Sequence, residues 1–286
     1  MQNETPLSEN VSQATAEPAA SERARWFELR RDIPIWGYRA LAAGGFAIVL
    51  ASWAWLSDRD FVNPVFVPSP ASVWEAAREL LLDENLWLDF KASLVRVSAG
   101  FLLAVLMGVP VGILMGSFKF FEGLLQPVTE FVRYIPVPAL IPIFMVLFGI
   151  DELSKIMLIW VGTFFQLVLM VADETRRVPH ELLQVSYTLG AKRREVLRLV
   201  MWRSAMPGIF DALRLCNGWA WTYLVVAELV AANEGLGYRV LKFSRFLQTP
   251  KIWVYLVLLG VIGLGLDLLF RMLNRQLFHW AETGKA

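Results

Sequence analysis

VSAGFLLAVLMGVPVGILMGSF, residues Val97 to Phe118, contains no charged side chain between Arg96 and Lys119. About 20 such residues carry a helix across a bilayer, so the stretch predicts a membrane span. Gly108, Gly112 and Gly116 recur within it every four residues. That spacing puts three bare backbone patches on one helix face, where a second helix can approach closely. Pro110 in the same run predicts a bend, with neighbouring helices satisfying the freed carbonyl.

The rest of the chain reads as the same kind of material. Hydrophobic residues make up 56% of the 286, with 12 Trp and 19 Phe, against about 45–50% in soluble domains. A net charge of +1 argues against a nucleic-acid surface, which needs clustered basic excess. The single cysteine, Cys216, cannot close an internal disulfide, and two histidines leave too few ligands for a Cys/His metal centre. No metal site and no bound cofactor are expected in this chain.

Five further spans are predicted around the first. Residues 1–34 are rich in Gln, Asn, Ser, Ala and Glu and predict a disordered cytoplasmic tail. Arg23, Arg25, Arg30 and Arg31 then precede an uncharged run from Ala40 to Ser57, read as a retained span with its N-terminus inside. The third span is expected to be broken, because Pro136, Pro138 and Pro142 interrupt the segment from Glu122 to Ile150. The fourth covers Ile156 to Ala172, the fifth Ala205 to Ala232 and the sixth Ile252 to Leu273. The fold class is therefore an all-α integral membrane protein of about six helices. Its membrane domain covers 35–280, and 281–286 form a short C-terminal tail.

The basic stretch 174–204 marks a cytoplasmic loop, and four spans from an inside N-terminus reach the same side. Both termini are then cytoplasmic. Within the loop, Leu182, Val185 and Leu189, then Val196, Leu197, Val200 and Met201, fall at helical spacing. They predict two short amphipathic helices joined at Gly190, a residue that accepts the left-handed backbone of a helix end. Pro207 is placed in the first turn of the fifth span, where a missing amide costs little. Such a helix pair can dock on a partner or lie in the lipid headgroups. On the other side, Arg239, Lys242, Arg245 and Lys251 face a single Glu234. That basic outer loop runs against the inside preference of positive charge.

Ionisable and polar residues inside spans are expensive and mark candidate positions. Arg133 and Pro136 stand at the proline break, Thr163 and Gln166 in the fourth span, Asn217 and Glu228 in the fifth. These six are the candidate lining of a solute pathway, with helix pairing as the competing role for Glu228 and for Arg214. A membrane enzyme is disfavoured by the lack of a His/Asp/Glu cluster at helical spacing.

The loop 175–204 resembles the cytoplasmic coupling loop of ABC-importer permeases. Gly190, Ala191, Val200, Ala205 and Pro207 fit that pattern, while its Glu-Ala-Ala positions hold Gln184, Val185 and Ser186, and Arg203 stands where a proline is usual. Val67-Pro-Ser-Pro70, Leu94-Val-Arg-Val97, Gly108-Val-Pro-Val-Gly112, Arg133-Tyr-Ile-Pro136, Ala139-Leu-Ile-Pro142, Phe148-Gly149 and Gly235-Leu-Gly237 follow in order. Together they resemble the nitrate/sulfonate/taurine/bicarbonate branch of those permeases over about residues 65 to 280.

The resemblance implies the type I importer permease fold, an inner-membrane location and a homodimer of two such subunits. It also implies that Gln184, Val185, Ser186, Leu189, Gly190, Ala191, Val200 and Pro207 form an ATPase-coupling loop. ATP and Mg would sit on two cytoplasmic partner subunits, consistent with the absence of a Gly-x-x-x-x-Gly-Lys-Ser/Thr loop from this sequence. An external solute-binding protein would deliver a small anion. A secondary transporter or channel for a small solute is the alternative.

Overall fold

The computed structural model describes residues 34–58, 63, 65–82 and 84–282. Apart from Pro34, Ala281 and Glu282, the tails expected at 1–34 and 281–286 lie outside the described residues, as does the arginine cluster before the first span. Among the described residues there is no strand. The chain divides into two units, residues 1–60 and 61–286. The first contributes one helix, α1 (Ile35–Ser57), long and apolar enough to cross a membrane.

The second unit begins with α2 (Pro70–Leu81), whose N-cap Ser69 accepts the amide of Ser72 at 3.2 Å. It continues through α3 (Glu84–Ser117), α4 (Lys119–Arg133), α5 (Val137–Phe148) and α6 (Glu152–Arg176). After these come α7 (His180–Thr188), α8 (Trp202–Ala231), α9 (Leu236–Arg245) and α10 (Thr249–Leu277).

The glycine stripe on α3 lies directly against α6. A Cβ placed on Gly112 would come 2.7 Å from the Val168 carbonyl oxygen, and one on Gly116 2.6 Å from that of Ala172. Gly100 continues the stripe, with Ile159 at 2.8 Å, and the fully buried Ala104 fills the gap between. Only small residues allow backbones this close. Contacts advance together along both helices, Gly100 meeting Ile159 and Gly116 meeting Thr175, so α3 and α6 run parallel.

Parallel neighbours in sequence require a crossing between them. Residues 118–151 supply it as a broken one, since α4 and α5 meet at 100°. Pro136 caps α5 with an extended backbone and Pro138 sits in its first turn, a place that tolerates a missing amide. Ile135, preceding a proline, is pushed out of the helical region. Helix α8 then returns antiparallel to α6, with Gly208 against Glu174 and Gly162 against Tyr223.

Of these helices α1, α3, α6 and α10 are each apolar and long enough to span, and the bent pair is a fifth where it is counted as one span. Helix α8 falls outside that apolar class because it carries Arg203, Asp211, Arg214 and Glu228, yet its 30 residues reach about 45 Å at 1.5 Å per residue. Against the expectation of about six crossings, four to five apolar spans stand among the described residues, and α8 is long enough for a further, more polar one.

One local expectation differs. Pro207 is not in a first turn. A short turn at Arg193–Glu195 and a π-helical stretch at Val196–Met201 lead without interruption into α8, leaving Pro207 inside the helix. The π turn, closed by Trp202 N–H on Leu197 O, shows that the helical register is already disturbed before the proline, where such irregularities are tolerated.

Candidate functional site

The two ends of the second unit carry different chemistry. At the end where α7 lies, α7 stops in a Schellman arrangement. Gly190 takes φ +86°, its amide bonds Tyr187 O at 3.0 Å, and the Ala191 amide bonds Ser186 O at 3.0 Å. Those two bonds satisfy carbonyls that the helix end would orphan. The next turn is closed by Glu195, whose carboxylate accepts the Lys192 amide at 2.7 Å while its own amide donates to Lys192 O at 2.8 Å. Two helical pieces therefore meet at a fixed corner.

The outer face of α7 covers nothing among the described residues. Leu182 is 45% exposed, Val185 56% and Leu189 82%. Gln184 is exposed beside them, Ser186 is half-buried with its hydroxyl turned back to Leu182 O, and Val200 is half-buried in the π-helical stretch. On the inner side, a cavity of about 790 Å³ separates α7 from the ends of α3 and α6, and Thr175, Leu183, Tyr187 and Met201 line it.

At the opposite end a buried polar network joins α3, α6, α8 and the start of α9. Asp89, Ser93 and Arg96, spaced on one face of α3, are each at most 1% exposed, and Glu228 is sealed completely. Arg96 Nη1 donates to Glu228 Oε1 at 2.8 Å and to the Glu234 carbonyl at 2.8 Å. Its Nη2 donates to Glu152 Oε1 at 2.9 Å, and its Nε donates to Glu152 Oε2. Two parallel bonds to one carboxylate fix the guanidinium plane. Lys155 Nζ donates to the same Glu152 at 2.7 Å.

The network also caps α9. Gly235, at φ +120°, cannot supply a side-chain cap, and the first amides of α9 are met from elsewhere. Gly235 N–H donates to Asp89 at 2.8 Å, Leu236 N–H to Ser93 Oγ at 2.9 Å, and Gly237 N–H to Glu228 Oε2 at 2.8 Å. Two carboxylates at a helix N-terminus are also favoured by its dipole. A cleft of about 690 Å³, lined by Arg96, Glu152, Lys155, Asn233 and Glu234 among others, opens beside the network.

The pathway candidates are scattered by comparison. Arg133 is exposed at the end of α4, its guanidinium 4.7 Å from the Tyr134 ring centroid and bonded to the Tyr134 hydroxyl at 2.9 Å. Pro136 is exposed at the bend. Thr163 is buried with its hydroxyl unbonded, while Gln166 and Asn217 are half-buried on α6 and α8. Glu228 alone enters the network. The remaining intramembrane charges pair between helices, Arg214 with Asp267 at 3.4 Å and Asp211 with Asn274 at 3.1 Å.

The sequence reading gave Arg96 a place at the edge of a span and within the Leu94–Val97 motif, but assigned no role to it or to Asp89, Ser93, Glu152 and Lys155. Their signal is the four- and three-residue spacing of Asp89, Ser93 and Arg96, which puts an acid, a hydroxyl and a base on one helical face. The basic loop expected on the outside is largely accounted for in the same way. Arg239 pairs with Asp89 at 2.5 Å and Lys251 with Glu79 at 2.7 Å, leaving Lys242 and Arg245 exposed.

Comparison with known proteins places these features in context. A family model described as "Binding-protein-dependent transport system inner membrane component" matches residues 108–279. The taurine transport system permease protein of Escherichia coli K12 is 34% identical, over 91% of this chain and 94% of its own length. A putative aliphatic sulfonates transport permease protein of Bacillus subtilis 168 is 33% identical, over 83% and 86%. The nitrate import permease protein of Synechocystis is 30% identical, over 79% and 84%. Among solved structures, an inward facing conformation of the MetNI methionine ABC transporter superposes with a TM-score of 0.59 at 20% identity, covering 73% of this chain and 98% of that one. At that identity the likeness concerns the fold.

Proposed function

Because the chain belongs to the family of binding-protein-dependent transport system inner membrane components, we propose that it passes a small anion of the taurine, sulfonate or nitrate class through the membrane as the permease subunit of an ATP-driven importer. The three relatives named above carry those solutes in their names. A second copy of the chain completes the pore, and an external solute-binding protein delivers the anion. Hydrolysis of ATP with Mg takes place on two cytoplasmic subunits. The α7 end faces the cytoplasm, with both termini on that side.

The observation that carries this reading is the uncovered apolar face of α7, held at a rigid corner by Gly190. An exposed row of large apolar side chains on a fixed helix marks a docking surface. A stiff corner can pass a push from a bound motor into α8, which continues from it without a break. Arg133, exposed beside the break between α4 and α5, supports a role in meeting the anion, together with Pro136, Thr163, Gln166 and Asn217. Both carboxylate oxygens of Glu228 are already bound within the chain, which supports fastening as its role.

Copurification tests the docking. Replacing Leu182, Val185 and Leu189 by Asp should leave the chain in the membrane and strip the ATP-binding subunits from it. Retention of those subunits by the triple variant would contradict the assignment.

A further inference from the structure

A cavity of about 1030 Å³ lies between the end of α3 and the start of α8, and the importer reading makes no use of it. Arg194, Arg198 and Arg203 line it together with Ile113, Leu114 and Trp202. We propose that this cleft holds the phosphate headgroup of an anionic phospholipid, with an acyl chain along its apolar wall.

Three observations converge on that ligand. The first is unspent positive charge. Among the described residues Arg194, Arg198 and Arg203 form no ion pair, and the one carboxylate in the lining, Glu195, is occupied in part by the Lys192 amide. The second is the register that gathers them. Arg194 and Arg198 are four residues apart, which aligns them on a helix, but Arg203 is five further on. The π turn at Val196–Met201, with its wider i to i+5 closure, compensates for the extra residue. The third is the pairing of that charge with an apolar wall at a span end. Leu114 is 39% exposed, Leu199 54% and Trp202 38%, and Ser117, the last residue of α3, has a buried hydroxyl with no partner.

A soluble phosphate would need only the cations and the hydroxyl. The exposed leucines and the tryptophan beside them fit a molecule with a charged head and a hydrocarbon tail, and basic pockets at this depth suit anionic lipids. Tryptophan at the boundary between apolar and headgroup layers is equally in keeping.

Native mass spectrometry of the full-length chain, purified in detergent and equilibrated with vesicles of equal parts phosphatidylglycerol and phosphatidylcholine, tests the site. The wild type should retain phosphatidylglycerol preferentially. Each Arg→Gln change at 194, 198 or 203 should weaken that preference about fivefold, from the usual contribution of a basic residue near anionic lipid. The triple Arg→Lys variant should keep most of it, and the single variants keep the test available if a triple variant fails to accumulate. Unchanged phosphatidylglycerol retention after Arg→Gln would overturn the proposal. Displacement of the lipid by millimolar inorganic phosphate would assign the site to a free anion instead. Arg→Gln variants that keep the lipid but no longer copurify with ATP-binding subunits from membranes would overturn the proposal in favour of protein docking. Transport does not enter the readout, so a negative result leaves the importer reading untouched.

Discussion

Arg96 of α3 and Glu228 of α8 meet at 2.8 Å with both side chains sealed from solvent, and each also binds the loop that opens α9. Removing one member of such a pair strands a buried charge, at a cost of about 3–5 kcal/mol. Arg96→Met is therefore expected to lower the unfolding midpoint sharply in detergent. The double change Arg96→Met with Glu228→Leu should recover part of the loss, and a double-mutant cycle on melting temperature measures the coupling.

The contact of α3 with α6 predicts a second asymmetry. Gly112→Ala places a methyl against the Val168 carbonyl oxygen at 2.7 Å, a backbone atom that cannot swing aside. A destabilisation of about 1–3 kcal/mol is expected from such overpacking. Gly260→Ala, on α10 with nothing within 4 Å, should be neutral or stabilising by up to about 1 kcal/mol. Thermal melts of the two variants side by side distinguish a packed glycine from a free one.

At the corner after α7, Gly190→Val forces a β-branched side chain into φ +86°, at a local cost of about 1–2 kcal/mol. Nothing lies within 4 Å of the added Cβ, so strain and not collision is the effect. The variant should still reach the membrane, while the substrate-stimulated part of ATP hydrolysis in the assembled complex falls. Measuring ATP turnover with and without loaded binding protein checks it.

How much of this was legible beforehand depended on whether the signal was local. The break at Pro136 and the corner at Gly190 follow from backbone chemistry that one residue imposes on its neighbours, and both sit where the sequence places them. Span ends were less legible. Charge-free counting starts the second span at Val97, yet α3 begins at Glu84, because Asp89 is paired with Arg239 and Arg96 with Glu228, partners 150 and 132 residues away. The same holds for α6, which begins at Glu152, ahead of the predicted span start at Ile156. The glycine stripe announced a close helix but not which one, and Pro207 could not be placed without seeing the π turn ahead of it.

The paired and the exposed cations of the basic α9 region should separate in the same spirit. Arg239→Glu opposes Asp89 inside the network and is expected to destabilise the chain by several kcal/mol, as an unpaired buried carboxylate does. Lys242→Glu with Arg245→Glu, on exposed positions, should shift stability by no more than about 0.5 kcal/mol. If those two exposed cations meet an acidic partner, the double variant weakens capture of the solute-binding protein without moving the melting temperature.

Uptake into sealed proteoliposomes tests the central claim most directly. The chain, assembled with its ATP-binding subunits, is supplied outside with binding protein loaded with labelled taurine, sulfonate or nitrate, and ATP is enclosed within. Accumulation of at least one of these anions that requires ATP and is abolished by Leu182→Asp, Val185→Asp and Leu189→Asp together is the predicted result. Accumulation by the chain alone, driven by an ion gradient and indifferent to ATP, would contradict the account.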